Sequence, residues 1–171
     1  VDLVITSPPY GSAQKYIRAC SLELGWLGFL DADGMRETTR NSVGREKYLK
    51  SEYDSPVLTG LKSVDRVLAE IRNENPLRAH ISAQYLVDLG RALEESCSAL
   101  GDGGYLVLVL SPNKVLGRRF DTPKYVRSRL ASLGMELQLS LRDDIRSRGL
   151  MTKRNHTADI ITQEVVQVFQ K

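Results

Sequence analysis

The sequence predicts an open, mainly parallel α/β sheet, and three observations predict it. Two short runs, Val1–Thr6 and Tyr105–Leu110, are aliphatic on both parities, as strands covered on both faces are. Between and after them lie segments with apolar residues near a period of 3.6. The order is then strand, helices, strand, helix, strand, strand, an alternation that implies crossover connections within one sheet.

Taken in order, Val1–Thr6 is stopped by Pro8 and Pro9, neither of which donates a ladder hydrogen bond. Residues 14–29 read as a helix on Ile17, Cys20, Leu24 and Leu27, with Trp26 and Phe29 nearby. Asp31–Pro56 is polar with few apolar anchors and reads as a long, partly mobile excursion. Leu58–Ile71 carries a helical stripe, Asn73–Pro76 breaks it, and a second helix runs from about His80 to Leu100. Gly101–Gly104 turns the chain into the buried strand Tyr105–Leu110. Asp121 or Thr122 caps the next helix, Pro123 opens it, and Gly134 stops it after Leu133. Met135–Leu141 reads as a strand, Asp143–Thr157 as a basic loop, and Ala158–Gln170 as a strand pair or one long strand.

A length of 171 residues suits one domain with one core. No run approaches the roughly 18 apolar residues of a membrane span, and no secretory pattern opens the chain. Cys20 and Cys97 make neither a metal spacing nor a disulfide framework, so both read as reduced thiols of a cytoplasmic protein. The opening on Val1, inside a strand, suggests a piece of a longer polypeptide. Net charge is +3 and unevenly placed, with 12 Lys and Arg against 6 Asp and Glu from Ser111 to Lys171. A basic half suggests a polyanion partner or a solvated helix face. Arg118, Arg119, Arg146, Arg148, Lys153 and Arg154 are the candidates for phosphate contact.

The chemistry concentrates at Ser7-Pro8-Pro9-Tyr10, at the carboxyl end of the first strand, where open α/β sheets bind ligands. The amino nitrogen of cytosine or adenine is a poor nucleophile, because its lone pair is delocalised into the ring. Modifying it requires acceptors that bind the amino hydrogens and let the nitrogen turn tetrahedral. Ser7 offers a hydroxyl and Pro8 a backbone carbonyl, and two consecutive prolines preorganise the turn. Tyr10 offers an aromatic face for an extruded base, worth roughly 1–3 kcal/mol when stacked. The plainer alternative is a Pro-Pro strand stop beside a packing tyrosine.

Thr6-Ser7-Pro8-Pro9-Tyr10 after Asp2-Leu3-Val4-Ile5 resembles the catalytic motif of S-adenosylmethionine-dependent, amino-methylating DNA methyltransferases. The Ser-initiated form is most typical of the N4-cytosine type. Tyr16, Arg18 and Leu22–Gly28 resemble the continuation of that motif, Leu100–Val109 the glycine turn and fifth strand, and Arg154-Asn155 with Glu164–Phe169 the closing strands. The resemblance implies a Rossmann-like class I methyltransferase fold of which residues 1–171 supply strands four to seven. It would carry a helical and loop insertion at about 31–100 and lack the first three strands.

The implied reaction is direct transfer of a methyl group from S-adenosylmethionine to a DNA base, cytosine N4 in preference to adenine N6. Ser7, Pro8, Pro9 and Tyr10 would be catalytic, and Ser7 and Pro8 would also border the cofactor. Tyr10, Arg118, Arg119, Arg148, Lys153 and Arg154 would meet nucleic acid. Neither cysteine follows a proline, so a thiolate route to cytosine C5 is not supported. No glycine-rich loop follows a strand, since Gly101-Asp102-Gly103-Gly104 precedes one. The cofactor half is therefore expected upstream in the same protein or on a complementing chain. Two other readings stay open: an RNA base amino-methyltransferase, and a non-catalytic nucleic-acid-binding subunit of the same fold.

Overall fold

Residues 1–11, 16–145 and 161–171 are described in the computed structural model. Leu3–Thr6 forms β1, and two short helices follow, α1 at Tyr16–Ala19 and α2 at Ser21–Trp26. The single helix expected over 14–29 is thus divided, and Gly28, at φ +69°, ends it. Leu22, Trp26, Leu27 and Phe29 are all exposed, so the apolar stripe there finds no core.

The excursion from Asp31 is more ordered than its composition suggests. Asp31 accepts from the backbone nitrogen of Gly34 at 2.8 Å and so caps α3, Ala32–Asn41. A 3-10 turn follows at Lys50–Glu52. Helix α4 spans Lys62–Glu74, and α5 spans Pro76–Ala99. The expected break at Asn73–Pro76 is itself a helix start, because the Asn75 side chain accepts from Arg78 N and Pro76 takes the first position. Helix α5 is also the connection between the two parallel strands, and it supplies much of the core. The expected insertion at 31–100 therefore contains a structural element of the sheet's own packing.

Tyr105–Leu110 forms β2. A hairpin absent from the sequence reading then follows, β3 at Asn113–Val115 and β4 at Arg118–Phe120, turned by Leu116 at φ 50° and Gly117 at φ 74°. Helix α6, Thr122–Ser132, is capped by Asp121 as expected. Strand β5 runs from Glu136 to Asp144 and β6 from Gln163 to Gln170. The end of Ala158–Gln170 is thus a single strand; most of the basic stretch before it lies outside the described residues.

The four long strands assemble in the order β1-β2-β6-β5. Only β1 and β2 run parallel; β2–β6 and β6–β5 are antiparallel. The sheet is mixed, which corrects the mainly parallel expectation. Both strand runs with apolar residues on both parities suggested crossovers, but β5 and β6 follow each other directly, and an antiparallel return needs no helix.

Residues paired across strands point to the same face. On one face Leu106, Leu108, Leu110 and Phe169 join Leu68, Ile71, Leu86, Leu89, Leu93, Val126 and Leu130 in one cluster with α4, α5 and α6. Full burial of each such side chain contributes about 1.5–3 kcal/mol. The other face is apolar and bare. Leu3 and Ile5, Tyr105, and Leu139 and Leu141 are 41–67% exposed there, with half-buried Val107, Val109, Val166 and Val168 between them.

Candidate functional site

Strand β1 ends at Thr6, and the Ser-Pro-Pro-Tyr loop leaves its carboxyl end beside the parallel strand β2. Ser7 is exposed, and its hydroxyl makes no hydrogen bond among the described residues. Pro8 and Pro9 are half-buried. Tyr10 is only 7% exposed, and its hydroxyl donates to Glu164 Oε1 at 2.7 Å. The aromatic platform expected of Tyr10 is therefore a covered ring here, because the phenol turns inward to the carboxylate of β6. The groups presented at the strand end are Ser7 and the half-buried Pro8.

The loop is held from several distant parts of the chain. Asn113 Nδ2, at the start of β3, donates to the carbonyl of Gly11 at 2.6 Å. Gly11 lies so close to Tyr85 of α5 that a Cβ would stand 3.0 Å from the ring. A side chain there would require the fully buried Tyr85 to move. The excursion also passes near the loop, since a Cβ added to Gly44 would come to 4.0 Å from Pro9. Glycine is needed at 44 in any case, where φ is +86°.

Next to Gly44 the excursion carries a polar cluster that fixes it to α5. Arg45 pairs bidentately with Glu52, at 2.9 and 3.0 Å, and its guanidinium lies 4.1 Å above the Tyr48 ring. Tyr48 packs edge-on against His80, 4.5 Å between centroids. Burial pushes the Tyr48 phenol up to about 12 despite the nearby Arg45 cation. Burial also lowers the His80 pKa, and its Nδ1 is buried without a hydrogen-bond partner. The Leu49 backbone N–H, 2.6 Å away, and Arg45 hold the Glu52 carboxyl below the usual range.

No protein-family model matches the chain, and no curated protein matches it significantly.

The cationic candidates fare differently from one another. Arg118 donates to Glu74 at 2.8 Å and lies 3.6 Å from Glu70, so its charge is engaged with α4. Those carboxylates raise its pKa, the hydrogen bond to Glu74 first. Arg119 pairs with Asp121 at 2.9 Å, although its side chain is 70% exposed. Arg129 pairs with Glu94. Arg118 and Arg129 of the second half thus meet acidic residues of the first. Arg146, Arg148, Lys153 and Arg154 lie outside the described residues. Among the described residues no group of three or more His, Cys, Asp or Glu is disposed to hold a metal ion, and no helix is long and apolar enough to cross a membrane.

Glu164, Asn113, Tyr85 and Gly44 were not read as site residues from the sequence because each is remote from the loop it supports. Glu164 alone carried a signal, as the acidic residue that opens the largely apolar run Val165–Phe169.

Proposed function

We propose that the chain is the base-binding part of an S-adenosylmethionine-dependent methyltransferase that methylates the exocyclic amino group of a DNA base, cytosine N4 in preference to adenine N6. The observation that carries this reading is the Thr6–Tyr10 motif at the carboxyl end of a parallel strand, with Ser7 exposed and unpaired among the described residues. The Ser7 hydroxyl and the Pro8 carbonyl accept the amino hydrogens of the base and draw its nitrogen towards tetrahedral geometry. Pro8 and Pro9 keep these acceptors in place before the base arrives, which lowers the reorganisation needed in the transition state. Tyr10 contributes as the anchor of the loop.

The residues present do not make a complete site for the methyl donor. Ser7 and Pro8 stand next to β1, which among the described residues is an edge strand with no partner on its outer side. The sheet face beside it is bare and apolar. An exposed apolar face of this kind and an unpaired edge are both features that a further part of an enzyme would cover. The walls of the cofactor site are accordingly assigned to a separate part of the enzyme, in the same protein or on a complementing chain. The isolated chain is expected to bind S-adenosylmethionine weakly or not at all, and tight binding in calorimetric titration would remove this part of the proposal.

The decisive measurement is nucleoside mass spectrometry of DNA incubated with the full-length protein and the methyl donor. N4-methylcytosine is the expected product. N6-methyladenine would change the assigned base, and methylation of RNA alone would change the substrate class. Absence of any methylated nucleoside, with the donor bound, would favour a non-catalytic nucleic-acid-binding subunit.

A further inference from the structure

The hydrogen bond from Tyr10 to Glu164 joins the first loop of the chain to its last strand, 154 residues apart in sequence. Glu164 lies one residue before Val165, which pairs with Leu110, the last residue of β2. The carboxylate is thus carried at the same end of the sheet as the Ser-Pro-Pro-Tyr loop. It stands on the bare face, with the parity of Val166 and Val168. The chain is fixed here from both sides. Ser111 Oγ donates to the Gln163 carbonyl at 2.9 Å, and Asp143 of β5 lies opposite Glu164 in the backbone ladder. A carboxylate on so constrained a backbone is a defined acceptor for the phenol.

From this geometry we infer that Glu164 is a positioning residue of the site, acting through Tyr10 to fix where Ser7 and the Pro8 carbonyl stand. The inference rests on the function proposed above. The Tyr10 ring is buried, so its orientation is coupled to the backbone that carries it. Between Tyr10 and the two acceptors lie only Pro8 and Pro9, whose rings fix φ, so a shift at position 10 is passed up the loop with little slack. A displacement near 1 Å in a reacting group lowers turnover by up to about a hundred-fold. A hydrogen bond on the far side of the loop is therefore enough to set the rate without touching the base.

The test uses the full-length protein that contains this chain, with DNA and the methyl donor. Glu164→Ala and Tyr10→Phe are expected to lower kcat each by about ten- to a hundred-fold. The double variant should fall no further than either single one. Glu164→Gln, which keeps an acceptor oxygen at the same reach, should retain most of the turnover. Additive losses, or a Glu164→Gln as inactive as Glu164→Ala, would overturn the inference. Hydrogen exchange of the Tyr10 and Gly11 amides gives an arm independent of catalysis. It should quicken in Glu164→Ala and stay near wild type in Glu164→Gln. If the wild-type protein methylates nothing while the exchange pattern holds, the proposed reaction fails and the anchoring role stands. Unchanged exchange in Glu164→Ala would sink the anchoring role itself.

Discussion

Asn113 and Gly11, 102 residues apart, meet through an amide-to-carbonyl hydrogen bond of 2.6 Å. The donor fixes the amide's orientation, since only the nitrogen can face a carbonyl. Its oxygen is then turned to a buried position where it has no partner. Asn113→Ala removes the donor and leaves the Gly11 carbonyl unsatisfied, at a cost of about 1–3 kcal/mol. Denaturant unfolding of the two proteins should show that loss as a lower midpoint with an unchanged slope.

Gly11→Ala tests the close approach to Tyr85. The added methyl would stand 3.0 and 3.1 Å from two ring carbons of a side chain that is 2% exposed. Overpacking of this kind costs about 1–3 kcal/mol. A second change, Tyr85→Leu, should recover part of the loss in the Gly11→Ala background while destabilising the parent. Strict additivity of the two in thermal unfolding would contradict the contact.

His80 makes stability depend on pH in a stated direction. Burial lowers its folded pKa, so the folded protein binds fewer protons than the unfolded chain between that value and the unfolded pKa of about 6.5. Stability should therefore be complete above about pH 6.5 and decline as the pH falls through that window. In His80→Phe the contribution of this site to the decline should vanish. An assigned His80 C2 proton that titrates at or above about 6.5 by NMR would contradict the assignment.

Gln167 is fully buried on the packed face of β6, opposite Leu108 and Ser140, and neither amide atom has a hydrogen-bond partner. An unsatisfied buried amide costs about 1–3 kcal/mol, and an apolar residue of similar volume avoids that cost. Gln167→Met should raise the unfolding midpoint. A fall would indicate that the amide is satisfied in solution by a group such as ordered water.

The sequence announced its strands and its loop far better than it announced their partners. Tyr105–Leu110 was legible because every side chain in it is apolar or aromatic, and α6 because Asp121, Pro123 and Gly134 punctuate it. The hairpin at Asn113–Phe120 was not, since Lys114, Arg118 and Arg119 mask any alternation and the turn uses a leucine at positive φ. Helix α5 began four residues earlier than its apolar stripe because the Asn75 cap and Pro76 set its start. At the candidate site the motif residues were legible and their supports were not. Ser7 and Pro8 advertise chemistry by identity, whereas Glu164 and Asn113 matter only through contacts that the fold creates. Tyr10 shows the same limit in reverse, because its burial is decided by a carboxylate at the far end of the chain.

Strand β6 lies between β2 and β5, and it follows the other three strands of the sheet in sequence. Until it arrives β5 has no partner, β2 has an open side, and the loop after β1 lacks Glu164. Closure of this sheet is consequently tied to the arrival of β6. An arrested product ending before Gln163 would leave β5, with its exposed Leu137, Leu139 and Leu141, without its ladder partner, a species prone to edge-to-edge association.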